Sequence, residues 1–444
     1  MNSTAQYPKP AYAWYVVAVL TAAYVLSFLD RQLLSLLAGP IKQSMSLSDS
    51  ALGLLMGPFF AVFYVVLGIP AGILADRRSR RTIITAGITL WCLMTALCGL
   101  ARNYGQLAAA RVGVGVGEAT LTPSAYSLIS DYFPRERRSQ AIGVFMMGIS
   151  AGMGLAYLIG GKTVAYLEGL SRVNLPVVGE LEPWQSAFVI VGLAGLIVAV
   201  LMLTVAEPVR QERVAGQSSS FSALRRYVRS RKAGYACLFF SMSVSTVIGY
   251  AWLWLPVAFT RVWGWTVGEM SLGYGIILLL FGPLGSIFGG WLASYWYRAG
   301  QRDGAFRAAV IALLAMVLTG AAVPLMPNGY LALAVMVPST FAGAMASGAG
   351  ASALVTIAPA RFRAQLSAWY LLTLSLMGLF VGPTVVGVLN DHVFVAPDGV
   401  RYSLVCVSGV LGGLLLFVAT RAKDSYVELV IETEQAHSQN EIES

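Results

Sequence analysis

The chain carries little charge: Lys, Arg, Asp and Glu together make up 11% of its 444 residues. A water-soluble chain of this length, which would fold as about three domains, carries roughly 25%. Histidine is scarcer still. His392 and His437 are the only two, both outside the apolar stretches, and no HExxH spacing occurs. A helix-borne metal site is therefore excluded. An embedded acyltransferase or protease lacks its chemistry here, so no enzyme activity, metal or cofactor is expected. No Walker-type phosphate loop is present, which excludes ATP as the direct source of work. The four cysteines, Cys92, Cys98, Cys237 and Cys406, all fall inside apolar runs and say nothing about disulfides or redox compartment.

Apolar sequence is abundant. Hydrophobic residues reach 57% and mean hydropathy is +0.70, values that suit a bilayer as solvent. The 46 glycines and ten tryptophans agree, since Gly permits close helix approach and Trp favours the lipid–water boundary. The net charge of +9 is spread over short basic runs between apolar segments and forms no continuous face, so nucleic acid is excluded as a partner.

Runs long enough to cross a 30 Å core, about 20 residues each, fall at 12–39, 51–75, 82–101, 107–131, 139–161, 184–206, 234–259, 270–297, 307–326, 330–357, 365–390 and 402–420. The first is too long for a signal-peptide core and more spans follow it. The pattern predicts an all-α membrane protein with twelve transmembrane helices. Lys and Arg concentrate in the loops of one side, including Arg77, Arg78, Arg80, Arg81, Arg135, Arg137 and Arg138. Both termini are therefore expected in the cytoplasm, with the chain multi-pass in a cell inner membrane.

The longest basic loop marks a division into an N-terminal six-helix bundle (1–206), a linker (207–233), a C-terminal six-helix bundle (234–421) and an acidic tail (422–444). Within the linker, Phe221-Ser-Ala-Leu-Arg-Arg-Tyr-Val-Arg229 reads as an amphipathic helix able to lie on the inner leaflet. The tail reads as a solvated extension. The halves repeat. Gly72-Ile-Leu-Ala-Asp76 is echoed by Gly290-Trp-Leu-Ala-Ser294, and Pro134-Arg-Glu-Arg-Arg138 by Pro359-Ala-Arg-Phe-Arg363. Two such bundles, related by a pseudo-twofold axis, can rock around a central site.

The loop Gly72-xxx-Asp76-Arg77-xx-Arg80-Arg81 resembles the signature loop of the major facilitator superfamily. Ser27-Phe-Leu-Asp30-Arg31, Ser48-Asp-Ser-Ala-Leu-Gly53 and Arg111-Val-Gly-Val-Gly115-Val-Gly117-Glu118 resemble its Spinster-like branch, densely over residues 20–165. The chain departs from the family in having Ser27 where Asn is usual, and Ser294 where an Asp would match Asp76. The resemblance implies secondary transport without a cofactor, by a monomer acting on a lysolipid- or sphingoid-like amphiphile. A cytoplasmic latch is expected from Gly72, Asp76, Arg77, Arg81, Asp131 and Arg363. Gly72 would allow close backbone approach, Asp76 would face the positive start of the eleventh span beside Arg363, and Asp131 would pair with Arg77 or Arg81.

The placement of charge carries the functional argument. Only Asp30, Arg31, Arg111 and Glu118 lie well inside spans, all on the first and fourth. At about 2.5–3.5 kcal/mol each on insertion scales, such charges need a reason to persist. Arg111 and Glu118, seven residues apart, share one helix face, and the adjacent Asp30 and Arg31 diverge by about 100°. Pairs Asp30–Arg111 and Arg31–Glu118 are expected. Asp30 and Glu118 would carry protons. Arg31, Arg111 and Tyr24, with Ser245, Tyr250, Trp254 and Tyr370 of the second half, would meet the substrate. The triplet Gly113-x-Gly115-x-Gly117 sits mid-helix and serves packing, not a dinucleotide. The alternatives to a proton-coupled carrier are a non-coupled facilitator and an efflux carrier for another organic anion or drug-like compound.

Overall fold

A computed structural model describes residues 7–169, 173–175, 179–210, 221–359 and 362–443. They are almost entirely helical, and ten helical stretches among them are long and apolar enough to cross a membrane. Outward faces carry bare aliphatic side chains, such as Ile190, Leu193, Ile197 and Val200, as lipid contact requires. Two compact units are present. The first holds Met1–Ala215 with Leu255–Thr260 and Gly264–Leu279, and the second holds Gly216–Trp254, Arg261–Trp263 and Leu280–Ser444.

In the first unit the chain runs α1 (Pro10–Leu36), α2 (Ala38–Met45), α3 (Asp49–Met56), α4 (Pro58–Arg77), α5 (Arg80–Gly99), α6 (Tyr104–Glu118), α7 (Leu121–Tyr132) and α8 (Arg135–Leu155). After one π turn come α9 (Gly161–Glu168), a short hairpin and α10 (Pro183–Leu203). The hairpin pairs Val173–Leu175 with Gly179–Leu181, a small exception to the all-α expectation. The run 107–131 is two helices, α6 and α7, meeting at Ala119–Thr120. Pro123 accounts for the break, because it has no N–H to offer the carbonyl of Ala119 and its ring crowds that carbonyl. The interruption falls directly after Glu118.

The α6 glycines allow backbone contact on two sides. A Cβ at Gly115 would stand 2.5 Å from the Phe60 carbonyl oxygen of α4, and one at Gly117 would stand 2.8 Å from the Gly87 carbonyl oxygen and the Trp91 nitrogen of α5. This wedging of α6 between α4 and α5 presents its last residue, Glu118, to the bundle interior. Gly148 and Gly152 let α8 approach α1 in the same way, with virtual Cβ atoms 3.1 Å from Tyr24 and 2.8 Å from Phe28.

The second unit contains α11 (Phe221–Ser230), α12 (Lys232–Ala251), α13 (Leu255–Trp263) in part, α14 (Val267–Arg298) in part, α15 (Gly304–Ala322), α16 (Gly329–Ile357), α17 (Arg363–His392) and α18 (Val400–Glu443). The amphipathic α11 forms, but its apolar side packs on protein. Leu224 is fully buried in the second unit's core and Tyr227 meets Phe362 at 5.3 Å, while Arg225, Arg226 and Arg229 stay exposed. The solvated reading of the acidic tail is corrected for its first turns, where α18 continues and packs on protein. Tyr426 stacks on Phe306 at 4.9 Å and donates to the Ala353 carbonyl at 3.1 Å, and Leu429 and Val430 are buried beside it. Tyr426, Leu429 and Val430 make a short apolar stripe at helical spacing, extended by the buried Thr433, that the acidic composition obscures.

Close packing of α6 predicts a sharp positional effect. Gly117→Val should cost about 1–3 kcal/mol by overpacking and lower the unfolding midpoint in detergent. Gly143→Ala in α8, where a Cβ meets nothing within 4 Å, should leave the midpoint unchanged. Equal midpoints for the two variants would refute the wedge.

Candidate functional site

The four span-embedded charges are all buried, with Asp30, Arg111 and Glu118 1% exposed and Arg31 8%. One expected pair forms. Arg31 donates from Nε and Nη2 to Glu118 Oε2 at 2.8 and 2.6 Å, and the Ser27 hydroxyl donates to the same oxygen at 2.6 Å. Ser27, in place of the usual Asn, therefore serves as a hydrogen-bond donor to the carboxylate. Three aromatic rings enclose the Arg31 guanidinium, with Phe28, Phe60 and Tyr64 centred 4.8, 4.7 and 4.7 Å from Cζ. Each such contact is worth about 0.5–2 kcal/mol when desolvated. This pair is a fastened unit.

The other expected pair does not form. Both Asp30 oxygens and the Arg111 Nε and Nη1 atoms lack hydrogen-bond partners, although Arg111 acts electrostatically on Asp30, with Glu118, Thr95 and Arg31 also within reach. Arg111 lies two turns, about 10 Å, along α6 from Glu118, and its guanidinium sits 5.6 Å from the Phe60 ring centre. Phe60 thus contacts both guanidiniums. One carboxylate–guanidinium pair is closed and the other is open.

The expected substrate residues divide by exposure and bonding. Tyr24 is buried, stacked on Phe145 at 4.6 Å and edge-on to Phe28 at 5.3 Å. Ser245 and Tyr250 are half-buried, and Tyr370 is buried edge-on to Phe239 at 5.5 Å. Trp254 is corrected to a packing residue. It is fully buried, and its indole N–H donates to the Pro383 carbonyl at 2.9 Å. Arg31 is likewise already engaged, which leaves Arg111 as the cation with unmet donors.

The expected latch is also revised. The side chains of Asp76 and Arg363 lie outside the described residues. Arg77 is exposed, and a Cβ at Gly72 would meet Pro123 at an ordinary 3.6 Å, so close approach does not demand glycine there. Asp131 pairs with Arg80, which the expected latch did not include. Arg80 is 1% exposed and also donates from Nε to Glu207 at 2.8 Å. Glu207 accepts from the Ser79 hydroxyl and the Arg81 backbone N–H, both at 2.9 Å. Arg210 bonds the Ala75 and Arg78 carbonyls at 2.8 and 2.9 Å, capping α4. Burial alone would push the Glu207 carboxyl up, but the bonds from Arg81, Arg80 and Ser79 outweigh it and hold the group below its ordinary value. The expected latch left out Arg80, although the signature loop contains it, and missed Glu207, whose one signal is an acid-proline pair directly after the sixth span.

The profile of the Major Facilitator Superfamily matches residues 20–383. An MFS-type efflux pump of Mycolicibacterium smegmatis is 31% identical over 86% of this chain and 85% of its own length. Protein spinster of Drosophila melanogaster is 26% identical over 64% of this chain, and the match spans 46% of that longer protein. A crystal structure of a bacterial homologue of the human lysosomal transporter Spinster, inward-facing and unoccupied, is 28% identical. It covers 95% of this chain and 99% of its own, with a TM-score of 0.83.

Arg80→Ala should destabilise the first unit by about 3–5 kcal/mol, because it removes the buried cation that Asp131 and Glu207 share. Arg77→Ala should stay within about 0.5 kcal/mol. Glu207 has a depressed folded value, so its contribution is complete above the ordinary 4.5 and is lost as pH falls through the lower folded value. Thermal unfolding of Glu207→Gln across acid pH should lack that component. A Glu207→Gln curve parallel to wild type would refute the brace.

Proposed function

Given that the chain belongs to the major facilitator superfamily as a Spinster-like transporter, we propose that it is a proton-coupled secondary carrier and not an enzyme. Its twelve helices would form two pseudo-symmetric six-helix bundles, 1–206 and 234–421, that give alternating access as a monomer in the inner membrane with both termini cytoplasmic. The supporting observation is the contrast between the closed Arg31–Glu118 pair and the open Asp30–Arg111 pair.

A carboxylate brought against a guanidinium releases its proton, and one left in apolar surroundings retains it. Asp30 is positioned for that exchange. Motion of α1 against α6 that closes the Asp30–Arg111 gap would discharge a proton, and motion that opens it would load one. Glu118, bonded by Arg31 and Ser27, completes the proposed proton pair but changes state only if that bond breaks. One proton crossing one pH unit and 100 mV supplies about 3.7 kcal/mol, enough for a substrate gradient of several hundredfold.

The proposed substrate is a small organic or amphiphilic molecule with an anionic head. Arg111 supplies the available donors, and Tyr24, Ser245, Tyr250 and Tyr370 supply the remaining polar and aromatic contacts. The similarity to an efflux pump favours a second reading, export of a drug-like compound. A proteoliposome panel of a labelled lysolipid, a sugar acid and a cationic dye separates the two. With whichever probe is carried, Asp30→Asn should abolish pH-driven accumulation, at least tenfold, while counterflow exchange persists. Glu118→Gln should abolish accumulation and also lower the unfolding midpoint, since it weakens the pairing of a buried Arg31. Accumulation by both variants at wild-type levels would refute the coupling role.

A further inference from the structure

Beside the closed ion pair lies a group of polar atoms, each on a residue 1% exposed and each without a hydrogen-bond partner: both oxygens of Asp30, the Thr95 hydroxyl, Nε and Nη1 of Arg111, Oε1 of Glu118 and the Trp91 indole nitrogen. They come from three helices, α1, α5 and α6. The groups are mutual neighbours. Arg111, Glu118 and Thr95 act on Asp30, Asp30 and Glu118 act on Cys92 of α5, and Arg111 and Asp30 act on Cys98. Trp91 is fixed by its backbone contact with Gly117, the residue before Glu118.

Unpaired buried polar atoms are costly, about 1–3 kcal/mol each, and a concentration of them in one place marks a site for a small polar occupant. The four carboxylate and hydroxyl oxygens alone would suit a monovalent cation. The N–H donors of Arg111 and Trp91, with the guanidinium charge, oppose one. Water both donates and accepts, and satisfies the whole set.

We propose that this nest holds internal water bridging Asp30 to Arg111, and that Thr95 and Trp91 are positioning residues for the proton that Asp30 carries. The proposal rests on the proton-coupling reading above and adds two residues on α5 to it. When Asp30 is charged, the Thr95 O–H donates to it. When a proton arrives along the bridging water, an Asp30 oxygen takes it, the carboxylate becomes a neutral acid, and the new O–H turns to the Thr95 oxygen while Thr95 rotates its own proton away. The charged and titratable groups facing Asp30 are Arg31 on α1, Cys92 and Cys98 on α5, and Arg111 and Glu118 on α6. Thr95, also a neighbour of Asp30 but uncharged, has a hydroxyl that can be removed without changing shape or charge.

The test is infrared difference spectroscopy of the full-length protein in liposomes, titrated over roughly pH 4 to 9, with the protonated-carboxyl band assigned by its loss in Asp30→Asn. Thr95→Val should shift that band and move its midpoint by about half a pH unit or more, a threefold change in proton affinity. Thr95→Ser should restore both, and Trp91→Phe should remove a water O–H band sensitive to H₂¹⁸O. An Asp30 band unmoved by Thr95→Val overturns this proposal and leaves proton coupling standing. A band displaced by added Na⁺ at fixed pH assigns the nest to a cation and likewise overturns it. Absence of any Asp30 band overturns both this proposal and the coupling reading.

Discussion

Burial of charge in a low-dielectric interior is the constraint on which the first unit depends. Removing two ions from water costs several kcal/mol per ion unless geometry and added hydrogen bonds repay it. At Glu118 the repayment is thorough on one oxygen, with two bonds from Arg31, one from Ser27 and three rings around the guanidinium. The glycines of α6 belong to the same solution, because they let the helix carrying Glu118 sit against the backbones of α4 and α5. At Asp30 the repayment is incomplete. A bundle rigid enough to hold one pair closed while its neighbour stays open has a built-in difference between two carboxylates 88 positions apart in the chain.

A second charge cluster at the far end of the same helices obeys different rules. Arg80, Asp131 and Glu207 join the start of α5, the end of α7 and the segment after α10. Backbone groups take part, through the Arg81 N–H and the carbonyls that Arg210 caps. Every charge here has a partner, so this cluster fixes geometry. The unpartnered Asp30 and Arg111 are suited to chemistry, and the satisfied Arg80 network to bracing.

Much of this was legible in the sequence because membrane burial makes charge conspicuous. Four ionisable residues in apolar runs pointed to α1 and α6, and the seven-residue spacing of Arg111 and Glu118 pointed to one face. The glycine triplet pointed to packing. What stayed hidden has physical causes. Glu207 pairs with a residue 127 positions away, and an acid in a basic loop looks solvated. Thr95 and Trp91 are single polar atoms in an apolar helix, with no pattern of their own. The α18 stripe was diluted by the acids around Tyr426. Trp254 looked like a polar-tipped substrate contact, because nothing local in the sequence reveals that the Pro383 carbonyl takes its N–H.

The two halves of the chain differ in how they handle charge. In the second half the buried polar side chains among the described residues are hydroxyls, Asn390 and Asp303, and Asp303 sits next to the start of α15 where Arg307 pairs with it. No described Asp, Glu, Lys or Arg is buried mid-span there. The segment Gly290-Trp-Leu-Ala-Ser294, whose sequence echoes Gly72-Ile-Leu-Ala-Asp76, ends in a hydroxyl and not an acid. Confining the costly charges to one half of the chain separates two demands. The first half must tolerate unpaired groups and the second need not. A carboxylate that changes charge shifts its surroundings by several kcal/mol, and that perturbation is easier to accommodate when it falls within one packed bundle.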